Sequence, residues 1–258
     1  MPRSVAINVA ANTNEPGFRG PVYPDGSFAY VPIPEAAPTL DREEREETDR
    51  IDGPVPTYAD LDFPFSIPDD LGARPVHLDP EFPGVHGSEA ATYGDPYGVK
   101  ASRIAALDPG DWLFFYATLT LRPADWQGPA DDRDGDWLRE MGVAVDDDLA
   151  PDWGTYLIGG FRVAEVVEEP ERDDVAESFA SNAHLRRADF DARVLVRGDP
   201  DQSGLFDRVV PLSSPDVGAD ANQLVTELSS DSGKGPWWRR PFEFDASATA
   251  DLLLRADL

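Results

Sequence analysis

The chain has no cysteine, three histidines and only two lysines, Lys100 and Lys234, in 258 residues. The absence of cysteine excludes disulfides and thiolate metal sites. No window approaches the roughly 18 apolar residues of a membrane span, and residues 1–20 lack the apolar core of a signal peptide. We therefore expect a cytoplasmic protein with no membrane partner.

Negative charge dominates the composition, with 50 acidic against 22 basic residues and a formal net charge of −28. In molar salt the Debye length falls to about 3 Å, so crowded carboxylates repel one another little and keep the surface hydrated. Together with the scarcity of lysine, this composition is typical of a halophilic protein. A nucleic-acid mimic or a binder of cationic partners would also be acidic, but here the acidic residues are spread along the chain.

The apolar pattern predicts one folded domain over residues 1–258, with a hydrophobic fraction of 41%. Short β-like runs alternate with irregular loops and short helices. This favours an α+β fold with a mostly antiparallel, barrel-like sheet, similar to base-reading barrel folds. The predicted elements are strands at 4–9, 112–121, 155–167, 192–198 and 208–212, a hairpin turn at Asp25-Gly26, a bulge or bend at Gly159-Gly160, and helices at 99–107 and 246–254.

Two acidic segments, near 36–60 and 122–150, interrupt this pattern and are interpreted as insertions. Trp126 and Trp137 are expected to anchor the second one to the body of the protein. Between the insertions, residues 63–97 are rich in proline, glycine, aspartate and aromatic residues but have no periodicity. This predicts an ordered irregular loop, the kind of segment that often carries binding groups.

The strong generic motifs of enzymes are missing. The chain has no phosphate-binding loop, dinucleotide fingerprint, nucleophile elbow or paired-histidine zinc helix. A histidine-rich metal site would need His77, His86 and His184 to converge, with carboxylates supplying the other ligands. No metal ligand is therefore assigned from the sequence, and no cofactor can be named from it.

The densest group of polar and aromatic residues is 19–35, which contains RGP, DGSF and YVPIPE. Further along the chain stand NAHLRR at 182–187 and SGLF at 203–206. These segments resemble the signature of the third family of nucleotide-modification-associated domains, and GDWLFFYATL and YLIGGFRV are similar to its two core strands. The resemblance covers most of the chain apart from the two acidic insertions.

The resemblance implies a component of systems that modify bases in DNA or respond to modified bases. It carries over, motif by motif, Arg19, Asp25, Tyr30, Glu35, Asn182, His184 and Arg187. The leading hypothesis is that the protein recognises or processes a modified base or nucleotide in DNA. Its nucleotide-binding residues would be Arg19, Tyr30, Asn182 and Arg187, with Trp237 and Trp238 as a stacking surface.

Two alternatives remain open at this point. In the first, the protein is an enzyme that itself alters a base, with Asp25 or Glu35 as general base and His184 as the acid–base partner. In the second, it is a non-catalytic interaction protein that uses the acidic insertions. Each candidate also has a structural reading: Asp25 could simply shape a turn, Arg19 could pair with Glu35, and the tryptophans could belong to the core.

If high salt is the native solvent, the protein should become more stable as KCl is added. We expect the urea midpoint of unfolding to rise between about 0.1 M and about 2 M KCl, because the shorter Debye length screens repulsion among the carboxylates. Circular dichroism during urea titration measures this midpoint. A midpoint that is constant or falls over this range would contradict the salt-adapted interpretation.

Overall fold

The computed structural model describes residues 1–41, 43–44 and 53–258. The strands are β1 (Ser4–Asn8), β2 (Pro21–Val22), β3 (Ile33–Pro34), β4 (Val76–His77), β5 (Thr92–Asp95), β6 (Trp112–Leu121), β7 (Trp153–Glu168), β8 (Val194–Gly198), β9 (Gly204–Pro211) and β10 (Phe242–Phe244). The α-helices are Asp69–Gly72, Gly98–Ile104, Gly135–Glu140, Arg172–Val175, Gln223–Thr226 and Ala246–Arg255, and short 3-10 helices cover Tyr58–Asp60 and Trp237–Arg239.

Eight of these strands form one sheet with the order β10-β1-β6-β7-β8-β5. In addition, β2 pairs with β6, and β9 pairs with β7. The pairings of β1 and β2 with β6 are parallel, and the others in this sheet are antiparallel. The remaining strands, β3 and β4, form a separate two-stranded sheet.

The central strand β6 is buried along its whole length because each of its faces packs on a different core. Leu113, Phe115 and the alternate residues that follow them face one apolar cluster, which the helix Gly98–Ile104 covers. Trp112, Phe114 and Tyr116 face the second cluster, which the helix Ala246–Arg255 covers. Alternate side chains of a strand point to opposite faces of the sheet, so an unbroken apolar run is what this position requires.

Gly159 and Gly160 lie at an irregularity in the pairing of β7 with its neighbours β6 and β9. The pairing of β7 with β9 shifts register between Leu157 and Gly159. A Cβ atom at Gly159 would lie 2.6 Å from the carbonyl oxygen of Gly204, and one at Gly160 would lie 2.7 Å from the ring of Phe114. The register shift is the kind of irregularity predicted for this pair as a bulge or bend, and close approach of neighbouring atoms explains the two glycines.

The mixed α+β class, the mostly antiparallel sheet and the short helices are confirmed, but the predicted barrel is wrong. The end strands β10 and β5 do not pair with each other in the described part of the chain, and the sheet is not closed. A barrel encloses a single interior, whereas both faces of this sheet have their own helical cover. The predicted similarity to base-reading barrel folds is therefore wrong.

The loops match the sequence expectations less closely than the strands do. Asp25-Gly26 does form a turn, with the Gly26 N–H donating to the Tyr23 carbonyl at 2.9 Å, but a single bridge between Val22 and Phe28 replaces a full hairpin. In the second acidic insertion Trp126 is buried, and Trp137 packs against the first core, the apolar cluster that contains Leu113 and Phe115. Residues 42 and 45–52 of the first insertion lie outside the described residues.

Among the described residues, none of the helices combines the length and the apolar character needed to cross a membrane.

The aromatic centre of the first core should be the most sensitive point of the fold. Phe161 is fully buried and its ring centroid lies 4.6 Å from that of Phe115. We expect Phe161→Ala to reduce the free energy of unfolding by about 3–5 kcal/mol, measured by urea unfolding in high KCl. Leu254→Ala, at a side chain that is 74% exposed, is the matched control and should change it by less than about 0.5 kcal/mol. Equal losses in the two variants would contradict this description of the core.

Candidate functional site

Three polar side chains converge in a buried position beside the end strand β5. His77 is the last residue of β4, Asp79 follows it by two positions, and His184 lies in the turn of residues 182–187. The side chains of His77, Asp79 and His184 are only 8%, 1% and 1% exposed. One nitrogen or oxygen atom from each lies within 4.8 Å of the other two.

The two imidazole rings turn the same nitrogen toward the aspartate. Nε2 of His184 lies 3.4 Å from Oδ2 of Asp79, and Nε2 of His77 lies 3.8 Å from the same oxygen. The rings are nearly perpendicular, with centroids 4.9 Å apart. Both histidines therefore direct Nε2 into a shared space above one carboxylate oxygen.

Each imidazole is held from behind by a second carboxylate. Nδ1 of His77 lies 2.7 Å from Oε2 of Glu35, and Nδ1 of His184 lies 2.6 Å from Oδ1 of Asp191. A carboxylate can only accept, so in each ring Nδ1 carries the proton and donates it. In the neutral imidazole this leaves the lone pair on Nε2, toward Asp79.

Arg187 connects these two supporting carboxylates. Its Nε and Nη2 donate to Glu35 at 3.1 and 3.0 Å, and its Nη1 donates to Asp191 at 2.6 Å. A guanidinium offers donors in a fixed planar arrangement, so it fixes the two carboxylates relative to each other. The orientations of His77 and His184 are thereby coupled through one side chain.

Asp79 is oriented by neutral donors. The backbone N–H of Gly94 donates to both of its oxygens at 3.1 Å, and the amide of Asn182 donates to Oδ1 at 3.2 Å. The side-chain oxygen of Asn182 in turn accepts the backbone N–H of His184 at 3.0 Å. Asn182 is fully buried, so it ties Asp79 to the turn that carries His184.

The surroundings shift the pKa values of Glu35 and His184. Burial raises the pKa of Glu35, but hydrogen bonds from His77 and Arg187 outweigh it and lower that pKa to about 2. Burial lowers the pKa of His184, but the hydrogen bond to Asp191 and the nearby carboxylate of Asp79 outweigh it and raise that pKa to about 9. Glu35 is therefore a permanently ionised support and a weak base.

A pocket of about 210 Å³ leads to the three converging side chains. Lys100 lies at its wall, with Nζ 2.7 Å from Oδ2 of Asp95 and 3.2 Å from the hydroxyl of Tyr93. Tyr97 also lines the pocket and is 68% exposed, the one exposed aromatic side chain among the described residues. The pocket thus combines a polar floor, a cationic wall and an aromatic rim.

The structure brings together four of the residues that the sequence motifs single out: Glu35, Asn182, His184 and Arg187. They do not all line the pocket. His184 and Arg187 border it, whereas Glu35 and Asn182 support the bordering groups from behind. The turn 182–187 is therefore the part of the motif pattern that leads directly to the site.

Arg19, Asp25 and Tyr30 do not join this cluster. The Arg19 guanidinium lies 4.4 Å from the ring of Trp153 and borders a different pocket, so it neither pairs with Glu35 nor shares a cavity with His184. Asp25 is exposed and accepts hydrogen bonds from the backbone and hydroxyl of Ser27 within its own turn. Tyr30 is buried, with its hydroxyl donating to the Pro80 carbonyl at 3.3 Å.

Trp237 and Trp238 also lie outside the cluster. Trp237 is completely buried in the second core, where its indole N–H donates to the Ala219 carbonyl at 2.9 Å. The ring of Trp238 lies 5.5 Å from that of Trp153, on which Arg19 also stacks. Of the two roles considered for the tryptophans, stacking on a base or packing in the core, Trp237 has the core position.

The sequence motifs did not point to His77, Asp79 or Lys100. His77 and Asp79 fall in the aperiodic segment 63–97, which was expected to carry binding groups without naming them. Their His-x-Asp spacing is a signal, because it sets two side chains of metal-binding type close together in the chain. The fact that Lys100 is one of two lysines in the chain is a second one.

Taken together, the fold and the site define a mixed α+β protein with a histidine-lined polar pocket at one end of its main sheet. The family model described as nucleotide modification associated domain 3 matches residues 3–253. The chain belongs to that family, as its motifs predicted. No curated protein and no solved structure matches this chain.

The contact between Gly94 and His184 provides a test of this geometry. A Cβ atom at Gly94 would lie 2.5 Å from Cδ2 of His184, so we expect Gly94→Ala to displace the ring and lower the free energy of unfolding by roughly 1–3 kcal/mol. Urea unfolding and the histidine NMR resonances measure the two effects. Gly204→Ala, where nothing lies within 4 Å of the added atom, is the control. Identical behaviour of the two variants would contradict the packing at Gly94.

Proposed function

We propose that the protein binds a base or nucleotide of DNA, modified in its native target, in the pocket above His77, Asp79 and His184, and processes it there. Membership of the nucleotide modification associated domain 3 family supports the association with nucleotide modification. The observation that carries the assignment to this pocket is the convergence of two Nε2 atoms and one carboxylate at its floor. Buried polar groups that meet at the bottom of a cavity are characteristic of functional sites.

The size of the pocket favours one base over a larger ligand. Its volume of about 210 Å³ is below the roughly 300–1,000 Å³ that is usual for complete small-molecule sites. A single planar heterocycle therefore suits it, with the sugar and phosphate left outside. Such a base would enter from a single strand or after extrusion from a duplex.

The rim supplies the contacts that a planar base needs. Tyr97 is 68% exposed, and base–aromatic stacking typically contributes about 1–3 kcal/mol. Lys100 stands next to it, with Nζ 5.9 Å from the Tyr97 ring centroid, and can donate to a base edge or a phosphate oxygen. We assign stacking to Tyr97 and polar recognition to Lys100.

The floor, and not Glu35, supplies the reacting groups. Glu35 accepts hydrogen bonds from His77, Arg187 and its own loop, and its pKa is lowered to about 2, so it does not serve as a general base. Asp25 lies in an exposed turn. The catalytic alternative is therefore retained in a different form, in which the Nε2 atoms of His77 and His184 and the carboxylate of Asp79 face the base.

The charge of the protein sets the conditions under which it binds DNA. A net charge of −28 repels phosphates over long distances in dilute salt, and molar salt screens that repulsion. Arg187 is occupied by two carboxylates, so few cations at the pocket are available to bind DNA phosphates. Contacts with phosphates, whose contribution to affinity falls as salt rises, therefore add little here. We propose that the protein works in a salt-rich cytoplasm, where stacking and base-edge contacts supply the affinity.

Binding of short single-stranded oligonucleotides, with modified and plain bases, in about 2 M KCl tests this proposal. We expect preference for a modified base, and Tyr97→Ala should weaken binding about 5- to 150-fold, the equivalent of the lost stacking energy. Lys100→Gln should also weaken binding. Lys234→Gln removes the only other lysine and is the matched control, expected to bind like the unmodified protein.

Processing is followed by digesting the incubated oligonucleotide to nucleosides and measuring their masses. A mass change that Asp79→Asn abolishes supports a reaction at the floor of the pocket. Equal binding of plain and modified oligonucleotides, or equal effects of the two lysine substitutions, would contradict the proposed function.

A further inference from the structure

We propose that His77, Asp79 and His184 bind one divalent first-row transition metal ion, through Nε2 of each histidine and the carboxylate of Asp79. This inference concerns the same pocket as the proposed function and would give that function its reacting centre. Its support is independent, since it rests on the geometry of six side chains and not on any nucleotide.

The two histidine–aspartate distances suit a shared ion better than direct hydrogen bonds. Normal N–H···O bonds span about 2.7–3.2 Å, whereas the two Nε2 atoms lie 3.4 and 3.8 Å from Oδ2 of Asp79. Ligands about 2.1 Å from a tetrahedral ion are about 3.4 Å apart. The His184–Asp79 distance already matches this value, and the His77–Asp79 distance needs a contraction of a few tenths of an ångström.

Both histidines are prepared as metal ligands by their supporting carboxylates. Glu35 and Asp191 accept the Nδ1 protons at 2.7 and 2.6 Å, so Nε2 of each ring is directed inward, and metal binding there displaces any proton that Nε2 carries. A histidine that binds a metal almost always donates its other N–H in this way, because the partner fixes the tautomer and the ring orientation. Here the arrangement occurs twice, and Arg187 joins the two halves.

The charge of the ligand set also matches that of a divalent cation. Once both imidazoles bind through Nε2 they are neutral, because a metal displaces any proton from that nitrogen. Asp79, Glu35 and Asp191 then contribute three negative charges against the single positive charge of Arg187, which leaves −2. Asp79 and Glu35 have side chains only 1% and 2% exposed. Uncompensated charge in such surroundings is unfavourable, and one divalent ion neutralises it.

The donor set identifies the class of ion. Two imidazoles and one carboxylate suit ions such as Fe²⁺, Co²⁺, Ni²⁺ and Zn²⁺, whereas Mg²⁺ and Ca²⁺ prefer oxygen ligands alone. Three protein ligands leave further positions open, and all three residues border the pocket. A water molecule or an atom of the bound base would complete the coordination there.

The experiment is a titration of the full-length protein with CoCl₂ after dialysis against EDTA, in high KCl and without nucleotide. The readouts are calorimetric stoichiometry and the visible absorption of Co²⁺. We expect one saturable site in the unmodified protein, lost in Asp79→Asn and in His184→Gln. Asp191→Asn removes a positioning group, not a ligand, and should weaken Co²⁺ binding about 10- to 100-fold.

His86→Asn is the matched control because it removes the third histidine. His86 is outside the cluster, with Nε2 2.9 Å from the Tyr30 carbonyl, and its φ of 52° is one that asparagine tolerates. It should bind Co²⁺ like the unmodified protein. Circular dichroism establishes that each variant is folded, and the titration of the unmodified protein stands even where a variant does not fold.

The proposal is overturned if the unmodified protein shows no saturable Co²⁺ site, or if folded Asp79→Asn binds Co²⁺ as well as His86→Asn does. Oligonucleotide binding is measured separately with metal-free protein. Co²⁺ binding without any oligonucleotide binding contradicts the proposed function and leaves the metal site standing. Oligonucleotide binding without a Co²⁺ site contradicts the metal site and leaves the proposed function standing.

Discussion

The ion pairs of Arg187 hold the site together. Its guanidinium binds Glu35, 152 positions earlier in the chain, and Asp191 on the other side of its own turn. Each of these carboxylates fixes one histidine through Nδ1. Removing either carboxylate would leave a largely buried guanidinium poorly compensated, a costly change in a protein interior. The inward direction of both Nε2 atoms therefore depends on one cation shared by two anions.

The strands of the sheet are well predicted from the sequence because their hydrophobic pattern is local. Strand β6 has ten consecutive buried residues, and the two glycines of β7 mark its register shift, so both features can be read from short stretches of the chain. The closure of the sheet cannot, because it depends on whether the distant end strands β5 and β10 meet. A run that is apolar on both faces fits a sheet covered on two sides as well as a strand in a barrel wall.

The site was predictable in part for the same reason. The turn 182–187 gathers Asn182, His184 and Arg187 within six residues, so its polar purpose is visible in the sequence. His77 meets Glu35 across 42 positions and Arg187 across 110, and no local pattern encodes such contacts. Arg19 shows the converse: it is near Glu35 in sequence, yet it stacks on Trp153.

The acidic surface and the buried site have different physical roles. Most of the excess negative charge lies on the outside, where salt screens it, whereas the carboxylates of Glu35 and Asp79 are enclosed and act through short contacts. The proposed binding of a cation and a base in one pocket of a strongly acidic protein requires this separation. Membership of the nucleotide modification associated domain 3 family associates the chain with nucleotide modification, and the role of the pocket in it is our proposal.

The most direct measurement of the central claim is anomalous X-ray diffraction at the cobalt edge from crystals grown with CoCl₂. Our account predicts one strong peak between Nε2 of His77, Nε2 of His184 and the carboxylate of Asp79, with Glu35 and Asp191 still bound to the Nδ1 atoms. Cobalt found only on surface carboxylates, or histidine rings turned so that Nε2 points away from Asp79, would contradict it.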